Sequence, residues 1–144
     1  MLEDVCEQLV RDVLPEITGT AARLRLEMLI AVLNNCANAS GSEIALMKEE
    51  TTLYLDYATT VSAAVTSPKA DEALAAVMPS DSLVLADVAA EYSRASLAFS
   101  EALDAAMDQG HVGLQARGED LLQLRLANER KVLSGSSSLG RSAS

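Results

Sequence analysis

The chain carries one histidine, His111, two cysteines, Cys6 and Cys36, one phenylalanine and no tryptophan in 144 residues. A metal site built from imidazole and thiolate needs several such ligands together, and Cys6 and Cys36 form no C-x-x-C pair. Glu-x-x-His, the motif that supplies carboxylate di-metal centres in four-helix bundles, is absent, as are G-x-x-x-x-G-K, G-x-S-x-G and H-E-x-x-H. No catalytic set, metal or cofactor is therefore expected, and His111, between Gly110 and Val112, reads as a loop or hinge residue. Basic residues are also few, 11 Lys and Arg against 21 Asp and Glu, for a net charge of −10. Nucleic acid and anionic lipid are bound through clustered bases, so neither is expected as a partner of this acidic chain.

Long apolar runs are missing too: none approaches the roughly 18 residues of a membrane span. The opening residues Leu2, Glu3, Asp4 and Val5 place acids where a secretory leader carries bases. A cytoplasmic protein without membrane insertion is expected, with Cys6 and Cys36 as buried thiols of a reducing compartment.

What is present is helical periodicity. Leu2, Cys6, Leu9 and Val13 recur at steps of three and four, predicting a helix over 2–14 that Pro15 interrupts. Thr18, Gly19 and Thr20 form a turn before a helix over 21–39, the most apolar of the chain, with Leu24, Met28, Leu29, Val32, Leu33 and Cys36 placing it near the centre. Ser40-Gly41 reads as its stop, and Ser40 with Glu43 as a capping box opening a third helix over 42–65. Ser67-Pro68 predicts a short helix over 69–78. Ser80 or Asp81 caps a helix over 82–109, whose Leu85, Val88, Tyr92, Ala95, Phe99, Ala102 and Ala106 keep heptad register up to a stop at Gly110. Gly113 and Gly118 suggest a loop before a last helix over 119–133. No period-two run predicts a strand. The expected fold is all-α: an antiparallel bundle of four to five helices over 1–133, followed by a flexible, disordered Ser/Gly-rich tail over 134–144.

Two groups of residues stand out as candidate sites. Asn34 and Asn38 share a face of the apolar second helix, where they line a polar pocket or sit in its closing turn, and Tyr54 and Tyr92 read as stripe residues whose hydroxyls reach the rim, so these four are the ligand-binding candidates if the core holds a polar pocket. Leu46, Leu53 and Tyr57 form a second apolar stripe on the third helix, a candidate interface for a two-fold homodimer or a protein partner.

Val13-Leu14-Pro15, Ala22-Arg23-Leu24-Arg25-Leu26, the run from Leu29 to Asn35 and the late leucine-rich helix over 122–133 resemble a family of small bacterial helical proteins. Those proteins are encoded beside aminoglycoside-phosphotransferase-like kinases and acyl-CoA dehydrogenases. Where members carry an Arg-Glu pair, this chain has Cys36-Ala37-Asn38. The resemblance implies an accessory protein and assigns no catalytic residue. The expectation is thus a non-enzymatic helical accessory or protein-interaction protein, with a small helical enzyme or ligand binder as the alternative.

Overall fold

A computed structural model describes residues 2–137, with side chains described through 132. The chain is all-α: α1 (Leu2–Gln8), α2 (Thr20–Ala64), α3 (Pro68–Ala75), α4 (Leu85–Asp108) and α5 (Val112–Ser137), with no strand among the described residues. It divides into two compact units, residues 1–43 and 44–144.

In the first unit, α1 passes into a π-helical turn (Leu9–Val13) and a 3-10 turn (Leu14–Glu16) holding Pro15, before the backbone becomes extended at Ile17. The helix expected over 2–14 is therefore present but loosened before the proline. Cys6 and Ile30 are buried against each other, the Cys6 thiol 4.0 Å from the Ile30 carbonyl oxygen.

The expected stop at Ser40-Gly41 does not form, and α2 continues through it. A glycine stop works by adopting a left-handed conformation, and among the described residues only Gly110 does so (φ 65°). Glycine inside a helix costs about 1 kcal/mol relative to alanine, less than ending one helix and nucleating another between two helix-forming stretches. The central placement expected for residues 21–39 is also corrected. Leu24, Met28, Leu29 and Val32 are 57%, 62%, 59% and 56% exposed, and Cys36 is exposed. In this unit, burial on α2 centres on Ile30, on the opposite side of the helix from Leu24, Met28 and Val32.

The second unit is an antiparallel bundle with inward stripes in heptad spacing: Tyr54, Tyr57 and Val61 on α2, Ala95, Phe99, Ala102 and Ala106 on α4, Leu114 and Gly118 on α5. Ser67 caps α3 as expected, its hydroxyl accepting from the Ala70 amide. Helix α4 begins at Leu85, later than expected. Ser82 accepts from the Val84 amide and donates to Asp87, while the Ser82 amide donates to Ser80, so side chains hold the segment in a turn. Helix α5 begins earlier than expected, at Val112, because the His111 carbonyl accepts from the Leu114 and Gln115 amides. Gly113 and Gly118 are helical, as are residues 134–137, which were expected in the tail. The remainder of that tail, 138–144, lies outside the described residues.

Candidate functional site

The three tyrosines and the single phenylalanine of the chain form one cluster in the second unit. Phe99 stacks on Tyr54 with ring centroids 4.8 Å apart, and Tyr57 lies tilted against Phe99 at 5.2 Å. Small residues make room for these rings: Ala95, Ala98, Ala102 and Ala106 are buried along α4. Tyr57 donates its hydroxyl to the Leu114 carbonyl at 2.9 Å, fastening α2 to α5.

Beside the aromatic cluster lies a polar layer drawn from all three long helices. Glu50 on α2 is 6% exposed, and Asn128 on α5 is equally buried. Tyr92 on α4 donates to Glu50 Oε2 at 2.8 Å, Tyr54 donates to the same oxygen at 3.4 Å, and Asn128 Nδ2 donates to Oε1 at 2.8 Å. Both carboxylate oxygens thus have hydrogen-bond partners from the protein, as a buried acid requires. Arg125 is electrostatically coupled to both hydroxyls and bonded to Glu129 at 3.1 Å. Burial, first of all, pushes the Tyr54 and Tyr92 phenols above their ordinary range, and the neighbouring Glu50 pushes both further in the same direction.

Of the four ligand-binding candidates, Tyr54 and Tyr92 come together, with ring centroids 6.0 Å apart, around Glu50. Asn34 instead lines a cleft of about 560 Å³ in the first unit with Glu3, Cys6, Glu7, Val10 and Arg11. Asn38 is exposed. Of the interface candidates, Leu46 and Leu53 are half-buried, whereas Tyr57 is fully enclosed and so presents nothing to a partner.

Glu50, Arg125 and Asn128 were not singled out as a set by sequence reading, although a signal exists. Leu114, Gly118, Leu121, Arg125 and Asn128 follow one heptad stripe, so its last two members are polar on the inward face. Glu50 likewise sits one turn before Tyr54 on the inward stripe of α2.

No protein-family model, curated protein or solved structure matches the chain. Among the described residues, no three His, Cys, Asp or Glu side chains are grouped to hold a metal ion. No helix among them is long and apolar enough to cross a membrane.

Proposed function

We propose that the chain is a non-enzymatic helical accessory protein that works by binding another polypeptide through the outer face of α2. One observation carries this reading: Leu24, Met28, Leu29 and Val32 are each more than half exposed within two turns of one helix. Scattered exposed leucines are ordinary, but a contiguous apolar patch on a chain of net charge −10 is the mark of a covered surface. The polar layer fits a structural role in the same protein. A carboxylate whose oxygens are taken up by Tyr54, Tyr92 and Asn128 sets the register of three helices, and any slip of α5 would strand it without partners.

An exposed thiol at Cys36 fits a reducing, cytoplasmic setting. The ligand-binding alternative is favoured by one feature, the first-unit cleft with Asn34 and Arg11 on its walls.

The test compares wild type with Met28→Glu and Val32→Glu, both at exposed positions that leave the cores intact. Expected is association of the wild type, by light scattering or by retention of a partner on an affinity column, and its loss in both variants at unchanged helix content. A wild-type chain that binds no polypeptide, itself included, overturns the proposal.

A further inference from the structure

The outer face of α2 has an internal order that bears on what covers it. Ala21, Arg25, Met28, Val32, Asn35 and Ala39 follow steps of four and three residues, the spacing of a seam along which two helices pack, and all six are exposed. Their chemistry is the same read in either direction: small, polar, apolar, apolar, polar, small. Arg23, on another face, is engaged by Glu27 at 3.2 Å, whereas Arg25 has no hydrogen-bond or ion-pair partner among the described residues.

We infer that the occupant of this face is a second copy of the chain, packed antiparallel with the two-fold axis at the level of Ile30. The inference rests on the interaction reading above and names its partner. In this arrangement Met28 of each copy faces Val32 of the other, and Ala21 faces Ala39, whose small side chains let the helix ends approach. Arg25 of each copy faces Asn35 of the other, so two guanidinium groups each meet an amide oxygen, one at either end of the apolar centre. A parallel pairing in register sets Arg25 against Arg25, a like-charge contact on the seam. The face is therefore complementary to itself in one direction only, as an isologous interface requires.

Light scattering at tens of micromolar is expected to give twice the protomer mass of 15.2 kDa. Met28→Lys and Val32→Glu should each give a monomer with unchanged circular dichroism. Mixed in equal amounts they should return to the dimer mass, because the new ammonium of one chain faces the new carboxylate of the other only in the antiparallel arrangement. Should either variant fail to fold, Asn35→Asp gives an independent reading. It sets a carboxylate opposite Arg25 and should tighten self-association about tenfold, charge-assisted bonds being the stronger kind. A dimeric wild type whose two folded variants do not pair, or whose Asn35→Asp variant is not tightened, overturns the antiparallel assignment. A chain that stays at 15.2 kDa while immobilised wild type, but not Met28→Lys, retains another protein overturns the second copy and leaves the interaction reading standing. A chain that stays at that mass and retains nothing overturns both.

Discussion

A β-carbon placed on Gly118 would lie 2.8 Å from the Tyr57 hydroxyl oxygen and 2.5 Å from Leu103 Cδ1. The absence of a side chain at this buried point of α5 is what lets the helix come close enough for Tyr57 to reach the Leu114 carbonyl, one turn earlier. Gly118 thus earns its place by close approach rather than by backbone freedom, since its backbone is helical. Gly118→Ala should destabilise the second unit by about 1–3 kcal/mol, the usual range for overpacking. Leu103→Ala makes room, so the double variant should lose less than the sum of the two singles in urea melts. Strict additivity would mean that α5 shifts away instead.

The three tyrosines report on the fold through their ionisation. Burial holds the phenols of Tyr54, Tyr57 and Tyr92 protonated above their ordinary range. With the folded value above the unfolded value of about 10, the contribution to stability is complete below pH 10 and is lost as pH rises through the folded values. Phenolate absorbance should therefore appear late and together with loss of helix signal. Three separate titrations near pH 10 in a chain that keeps its helices would contradict the enclosed cluster.

The polar layer should behave as a set. Tyr92→Phe removes one donor to Glu50 and should cost about 1–3 kcal/mol. Asn128→Asp puts a second carboxylate against the first and should cost more, about 3 kcal/mol or above. Combining it with Glu50→Gln restores a donor facing an acceptor, and thermal melts should show the double variant regaining part of the loss. No recovery would indicate that Asn128 acts through packing alone.

Phe99→Ala should cost about 3–5 kcal/mol, because the ring stacks on Tyr54 and packs tilted against Tyr57 in the core. Leu29→Ala, at an exposed position, should stay within about 0.5 kcal/mol in the isolated protomer. Equal losses in denaturant melts of dilute protein would place Leu29 in a core after all.

Ser96 Oγ is enclosed and makes no hydrogen bond among the described residues. Removing an unsatisfied buried hydroxyl from a helix, with a gain in helix propensity, should leave Ser96→Ala as stable as wild type or up to about 1 kcal/mol more so. A clear loss of thermal stability would show that the hydroxyl has a partner.

The all-α architecture was legible in the sequence because helical periodicity is a local property, written at steps of three and four residues. So were the heptad stripe of α4 from Val88 onward, although its expected first member Leu85 is exposed, the cap at Ser67 and the stop at Gly110, each a matter of adjacent residues. What covers a stripe is not local. Leu24, Met28 and Val32 have the same spacing as a core face, yet burial in their unit centres on Ile30, so they remain exposed. The Ser40-Gly41 pair has the composition of a stop, but whether glycine turns left-handed depends on the balance between ending a helix and continuing it. Asn34 and Tyr54 belong to one helix but to different units, a division that only the contacts along the chain reveal. The meeting of Glu50, Tyr92 and Asn128 is a tertiary event of the same kind. Each reads alone as an unremarkable polar residue on a helix, and only packing three helices at one level makes them hydrogen-bond partners.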